Sequence, residues 1–306
     1  MEGLRVIFLG TGGGLPTTSR GLPSVVIKRK GELIFFDCGE GTQRQMLSAK
    51  IGFCKKTKIF ISHLHGDHIF GILGLMQTMA LLNRNKSLQI YGPKGIREFI
   101  EAGMHTTNFG DCYVVEVFEV ESGLVCEEKE YKVYATWADH VQPNLSYALV
   151  EDPRPGRFHP ERAKALRIPQ GKMWSRLQHG ETITLSNGKK VKPEDVLDPK
   201  RPGRKIVYSG DTKPSKAVEE LAENADLLIH EATFDDELTE RAGEDSHSTA
   251  TQAAKVAKNA KVKMLILTHI SARYKDPMIL LHQAEKIFPH VTVAKDFMEV
   301  NIPYSR

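Results

Sequence analysis

The 306-residue chain contains no apolar run near the ~20 residues that a membrane-spanning helix needs. Its amino-terminal MEGLRVIFLGTGGGLP also lacks a basic stretch followed by an apolar one. Membrane attachment and a secretory leader are therefore not expected, and the expected compartment is cytoplasmic. Cysteine is scarce. Cys38, Cys54, Cys112 and Cys126 are scattered with no C-x-x-C pair, which argues against a disulfide framework and against a cysteine-built zinc site. Low-complexity tracts and short-period repeats are absent. Neither sign of charge dominates: the net charge is only +4, so a polyanionic partner has to be argued from where the charges lie. What remains is an ordinary globular composition, 41% apolar and 26% charged, on a chain long enough to bury a large core.

Short runs rich in Val, Ile and Phe recur and break off at glycine or polar positions, the signature of strands. They include LRVIFLG, SVVIK, LIFFD, KIFIS, LQIYG, YKVYATW, LSYALV, KIVYSG, DLLIH and MLILTH. Helical patterns are expected over residues 69–82, 94–102, 215–225, 248–259 and 278–288. Strands come first and helices late in each half, which predicts two β-rich sheets packed face to face with helices outside. Residues 152–182, rich in Pro, Gly and Arg, break the pattern and read as an insertion.

The stretch ISHLHGDHIFG, residues 61–71, holds three histidines and an aspartate within six positions. His63 and His65 are two apart just past KIFIS, so an extended backbone turns both side chains to one side. Gly66 permits a tight turn, and Asp67 and His68 open the next helix. Neutral imidazole and carboxylate suit zinc or a similar divalent ion. A surface loop is the plainer account of any one of these residues, but not of four at this spacing. Further ligands should come from other strand ends. His140 follows YKVYATWAD, Asp211 follows KIVYSG and His269 follows MLILT. Taken singly, each would more often be a cap or a satisfied core group. Together the seven suffice for two ions: His63, His65 and His140 on one, Asp67, His68 and His269 on the other, with Asp211 bridging.

In this order the residues resemble the metallo-β-lactamase superfamily, which implies a four-layer αββα sandwich. Hydrolases of lactams, thioesters and phosphodiesters share that fold, so the site must decide the reaction. FLGTGGGLPTTSRG (8–21), FDCGEGTQRQM (36–46), SGDT (209–212), HEAT (230–233), HST (247–249) and THISARY (268–274) resemble the signature of the ribonuclease Z family. That resemblance implies a zinc-dependent endoribonuclease. It would cut precursor tRNA 3′ of the discriminator nucleotide, leaving a tRNA 3′-hydroxyl and a trailer 5′-phosphate. It also implies a homodimer and an inserted arm that clasps the tRNA. The expected cofactor is two Zn2+ per subunit, with Mn2+ or another divalent ion as the alternative.

The chemistry agrees independently. Two divalent ions less the charges of Asp67 and Asp211 leave an electropositive site, suited to a phosphodiester, and two ions can clamp the oxygens of an in-line displacement. Asp67 could also take the proton of the attacking water. The leaving 3′-oxygen needs a proton from outside the metal shell, and His247 with Glu231 holding its ring is the candidate pair. Arg273, four residues past His269, could pair with a phosphate oxygen. GTGGG matches neither the P-loop nor G-x-G-x-x-G, so no nucleotide cofactor is expected. In the family this loop and the residues after it lie beside the cleavage site, which makes Arg20 a candidate for substrate contact. Thr18 and Gly21 depart here from the usual Lys and Asn.

Residues 152–180 carry seven Arg or Lys against Asp152 and Glu161. Arg154, Arg157, Lys172 and Arg176 are the candidate phosphate contacts of a basic arm. The usual Gly-Pro of the family's arm is Gly171-Lys172 here. Two other readings compete: a small-molecule phosphodiesterase or arylsulfatase-like hydrolase, which the basic arm disfavours, and a catalytically silent RNA-binding metalloprotein, which the intact ligand set with His247 disfavours.

Overall fold

A computed structural model describes residues 3–110 and 112–304. Six strands early in the chain, β1 (Leu4–Gly10), β2 (Ser24–Arg29), β3 (Glu32–Phe36), β4 (Lys56–Phe60), β5 (Leu88–Gly92) and β6 (Val115–Glu119), enter one sheet. Seven later ones enter a second: β7 (Gly123–Glu128), β8 (Tyr131–Trp137), β9 (Leu145–Glu151), β10 (Lys205–Tyr208), β11 (Leu227–Glu231), β12 (Leu265–Thr268) and β13 (Val291–Val293). The last strand, β14 (Glu299–Ile302), returns to the first sheet beside β1. The orders are β14-β1-β2-β3-β4-β5-β6 and β13-β12-β11-β10-β9-β8-β7.

The inner strands are apolar with little alternation because both faces are covered. In β3 all five residues are buried. Ile34 and Phe36 face the second sheet, where they join Val6, Phe8, Phe60, Tyr147, Tyr208 and Ile229 in one core. Leu33 and Phe35 face the other way, against Met46, Ile72, Leu75 and Ile96 from helices 42–48, 71–81 and 96–106. On the far side of the second sheet, Val207, Leu228 and Leu265 pack on small residues, Ala250, Ala253, Ala254 and Ala257, of the helix Ala250–Asn259. The arrangement is the αββα sandwich read from the sequence. Among the described residues no helix is long and apolar enough to cross a membrane.

One side of each sheet, out to its edge strand, is parallel: β3 through β6 in one, β10 through β13 in the other. Parallel strands deliver their carboxyl ends to one edge, where ligand-binding loops collect. At that edge the loop after β3 is clasped to the segment after β4. Cys38 N donates to His68 O at 2.8 Å and Gly71 N donates to Cys38 O at 3.0 Å. Glycine is required for the approach, since a Cβ on Gly71 would lie 1.9 Å from Gly39 O.

The described chain divides into two units. One, Met1–Val150 with Lys205–Pro303, contains both large sheets; the other is Glu151–Arg204 with the residues from Tyr304 onward. The segment expected as an insertion, 152–182, falls inside the second unit, which continues to Arg204. This unit has its own small core of Ala163, Ile168, Leu177, Ile183, Val191 and Val196. The residues after 182 supply part of that core, and a short hairpin, Ile183–Thr184 with Lys190–Val191, carries two of them. Arg154 and Arg201 bridge at its neck with N–H···O bonds of 2.8 and 2.9 Å.

Substituting Gly71→Ala forces the 38–41 turn and the 66–71 segment apart. The expected cost is about 3 kcal/mol, the upper end for overpacking, read as a lower urea midpoint; an unchanged midpoint would show that the close approach is dispensable.

Candidate metal centre

The parallel edge gathers the seven predicted ligands into one cluster. His63 and His65 leave β4, Asp211 leaves β10, His269 leaves β12, and His140 lies in the loop after β8. Asp67 and His68 sit in the short helix Gly66–Ile69. Their potential ligand atoms form three-residue groups within 4.8 Å: His63/His65/His140, His63/His68/Asp211 and Asp67/His68/His269. Asp211 Oδ2 lies 3.2 Å from the Nε2 atoms of both His68 and His269 and 3.9 Å from His63 Nε2. It therefore stands between the two outer groups. Asp67 Oδ2 is 3.4 Å from His68 Nε2 and from His269 Nε2, and His140 Nε2 faces His65 Nδ1 at 3.4 Å.

Four of the rings are held from behind. His63 Nδ1 meets Ser62 Oγ at 3.0 Å, His68 Nδ1 meets Asp37 Oδ2 at 2.7 Å, His140 Nδ1 meets Ser246 O at 2.8 Å and His269 Nδ1 meets Thr233 Oγ1 at 2.8 Å. Engaging Nδ1 turns Nε2 toward the common space, as metal-ligating histidines require. The Nε2 atoms of His63, His68 and His269 and Oδ1 of Asp211 are buried with no hydrogen-bond partner among the described residues. Leaving such atoms unpaired costs roughly 1–3 kcal/mol each, a cost that a shared cation removes. The donor set, imidazole with carboxylate and no thiolate, suits a divalent metal.

Electrostatics keep the carboxylates charged. Burial works against ionisation of Asp67 and Asp211, but the imidazoles of His68 and His269 outweigh it and hold both carboxyls below the ordinary range. Burial pulls the His63 and His140 imidazoles down toward the neutral, ligating form.

His247 stands beside the seven. Its ring lies 4.8 Å from that of His140 and 5.2 Å from that of His269. Its Nδ1 is 2.8 Å from Glu231 Oε1, and Glu231 is itself buried, accepting from Thr212 N, Thr233 N and Thr233 Oγ1. Burial alone would lower the His247 pKa, but the Glu231 carboxylate raises it to about 9. Glu231 thus favours the protonated, proton-donating form of the ring.

The other predicted residues are spread more widely. The Arg273 guanidinium lies 5.0 Å above the Phe234 ring, which meets His247 edge-on at 6.0 Å. Arg20 turns inward, only 8% exposed, donating to Thr11 Oγ1 and Ala294 O. Arg157, Lys172 and Arg176 are exposed in the second unit, where Arg176 pairs with Glu181. Arg154 stacks on the Tyr304 ring at 3.4 Å.

Three features of the site were not singled out from the sequence. Asp37 is fully buried and holds His68; LIFFD ends in an acid just as KIVYSGD does, and that parallel was the available signal. Thr233 joins His269 to Glu231. The glycine loop has a steric part, because a Cβ on Gly13 would lie 2.4 Å from His269 Nδ1, and Gly14 N donates to Asp67 Oδ2 at 3.0 Å. Asp37 and His269 both adopt left-handed backbone, φ 58° and 56°. Such strain costs on the order of 1–3 kcal/mol per residue and gathers at functional sites.

Comparison with known proteins agrees with this geometry. Residues 4–154 match the family model described as anti-Pycsar protein Apyc1, and residues 196–270 match the β-lactamase superfamily domain. The chain is 50% identical over 302 residues to a ribonuclease Z of Methanosarcina acetivorans, covering 98% of this chain and 99% of that one. A Myxococcus xanthus ribonuclease Z is 43% identical, covering 99% of both chains. The crystal structure of the human short-form tRNase Z superposes with a TM-score of 0.72 at 31% identity, covering 98% and 100%. YhfI of Bacillus subtilis, a metallo-β-lactamase fold protein, shares the fold at 17% identity and a TM-score of 0.68. Whole-length identity at this level, over an αββα sandwich with a divalent-metal donor set at its parallel edge, makes the chain a member of the ribonuclease Z family and an endoribonuclease, a hydrolase of phosphodiesters.

Proposed function

We propose that this chain removes the 3′ trailer of precursor tRNA, cutting after the discriminator nucleotide to leave a 3′-hydroxyl on the tRNA and a 5′-phosphate on the trailer. The observation that carries the reading is His247, a proton donor fixed by Glu231 beside the convergent metal donors. The substrate follows the relatives, one of which is named a tRNase Z.

Two ions, zinc before manganese, are assigned to His63, His65 and His140 and to Asp67, His68 and His269, with Asp211 between them. Such a pair, when bound, acts as a Lewis acid on a phosphoryl oxygen and makes hydroxide available near neutral pH. The chain's own residues do the rest. Asp67, kept ionised, accepts the proton of the attacking water. His247 hands its proton to the leaving ribose 3′-oxygen; Glu231 occupies Nδ1, which leaves Nε2 for that transfer. Arg273 meets a phosphate oxygen, its plane steadied by Phe234. Arg20 acts on substrate indirectly, by fixing the loop that includes Gly14.

The segment Glu151–Arg204 is assigned to tRNA binding. It carries 13 Arg and Lys against seven Asp and Glu, a charge of +6 where the whole chain has +4. A basic module gains affinity for a polyanion through counterion release. The active form is proposed to be the homodimer expected of the family.

Asp211→Ala should lose bound metal and all hydrolysis, since no nearby donor replaces it; full metal content by elemental analysis would overturn the ligand assignment. His247→Ala should keep its metal and cut about 10²- to 10⁴-fold more slowly. An unchanged single-turnover rate would remove His247 from the mechanism. Replacing 155–200 by a short Gly-Ser linker should spare hydrolysis of a chromogenic phosphodiester. Binding of precursor tRNA should weaken, and the slope of log K against log salt should fall by about one for each phosphate that the shortened chain no longer neutralises. The reverse pattern, normal tRNA cleavage without small-substrate hydrolysis, would show that the segment shapes the catalytic pocket.

A further inference from the structure

Two phenols of the second sheet reach across the sandwich to the first. Tyr147 on β9 donates to Ile61 O at 2.7 Å, and Tyr208 on β10 donates to Asp37 Oδ2 at 2.7 Å. Between them lies Phe36, stacked on Tyr147 at 6.0 Å and 9° and on Tyr208 at 5.4 Å and 1°. Both tyrosines are buried. Their surroundings are alike, but what they grip differs. Tyr147 holds a backbone carbonyl, whereas Tyr208 holds a carboxylate that in turn holds a metal-donor ring.

The Asp37 carboxylate receives four donors: Ser62 N at 2.7 Å, Ser62 Oγ at 2.8 Å, His68 Nδ1 at 2.7 Å and Tyr208. Three belong to the first sheet and the loop that leaves it. Tyr208 is the one that comes from the second sheet, and it lies three residues before Asp211. His68 is therefore located from two directions. Asp37, tethered by Tyr208, fixes its Nδ1 side, and Asp211 faces its Nε2 at 3.2 Å. Both reference points hang on the end of β10. The second sheet also holds the neighbouring backbone, through Leu145 N on Ser62 O and Tyr147 on Ile61 O, but the phenol is its direct hold on the Asp37 carboxylate.

We propose that Tyr208 is a positioning residue for the metal centre: its hydroxyl anchors Asp37 to the strand that carries Asp211 and so sets the His68–Asp211 spacing on which cation affinity depends. Burial, with the Asp37 charge adding to it, pushes the Tyr208 phenol well above its ordinary pKa, so it remains a donor throughout the working range. The inference rests on the ligand assignment proposed for His68 and Asp211.

Tyr208→Phe and Tyr147→Phe each remove one buried hydroxyl from the same ring stack without changing the ring. Zinc affinity of the apoprotein is measured by competition with a chromogenic chelator, together with apoprotein thermal unfolding and the visible spectrum of the cobalt-loaded form. The expected result is similar loss of apoprotein stability in both variants. Zinc binding should weaken 10- to 100-fold in Tyr208→Phe alone, as for other outer partners of ligating histidines, with shifted cobalt bands in that variant only. Wild-type affinity in Tyr208→Phe, or equal affinity loss in both variants, would overturn the proposal by reducing Tyr208 to packing. Asp211→Ala in the same titration separates the two levels. If it too binds zinc like the wild type, the ligand assignment fails; if it loses zinc while Tyr208→Phe does not, only the role of Tyr208 falls.

Discussion

An imidazole turns about two single bonds, so several rings converge on one space only when the far nitrogen of each is held. That constraint organises the edge of this sandwich. Ser62, Asp37, Ser246 and Thr233 each grip the Nδ1 of one ring. Every one of these partners must itself be fixed, and fixing them recruits the fold. Asp37 is fixed by a left-handed turn at the end of β3 and by Tyr208. Thr233 is fixed through Glu231, whose carboxylate also takes backbone N–H donors from Thr212 and Thr233. Glycine appears where these loops leave no room for a Cβ, at Gly13 against His269 and at Gly71 against Gly39.

The candidate metal ligands and the proposed proton donor are thereby coupled. Thr233 Oγ1 touches His269 Nδ1 on one side and Glu231 Oε2 on the other, and Glu231 holds His247. One hydroxyl group thus joins the ring that faces Asp67 and Asp211 to the Glu231–His247 pair. The carboxylates of this region divide the work by environment. Asp67 and Asp211 face histidine Nε2 atoms directly, whereas Glu231 is hydrogen-bonded to the Nδ1 side of His247 and to the backbone N–H groups of Thr212 and Thr233.

Much of this was legible in the sequence because it lies at strand ends. His63, His65, Asp211 and His269 each follow an apolar run that is unmistakably a strand, and the parallel sheets bring those ends together. The partners of the donors were harder to see. Tyr208 meets Asp37 from 171 positions away, and nothing in KIVYSG says which face of the strand its ring takes. Arg20 reads as a substrate contact in PTTSRG, yet its guanidinium turns inward to Thr11 and Ala294 because those oxygens are within its reach. The helix Thr42–Ser48 went unrecognised because it is short and starts from a left-handed glycine, Gly41, instead of a Ser or Asp cap. The second unit extends past 182 because its core needs Ile183, Val191 and Val196, isolated apolar residues in a polar stretch where periodicity gives no signal.

The register between β9 and β10 has a consequence for how this protein can change over evolutionary time. The two strands are antiparallel neighbours with Tyr147 opposite Tyr208 and Val150 opposite Lys205, as if joined by an ordinary hairpin turn. The segment Glu151–Arg204 occupies the position of that turn. Closure entropy grows only with the logarithm of loop length, about 0.6 kcal/mol for each doubling. A lineage can therefore lengthen, shorten or exchange this segment with little penalty to the sheet that carries Asp211. The segment proposed to bind the substrate is free to drift while the cluster of candidate metal ligands stays under tight steric control.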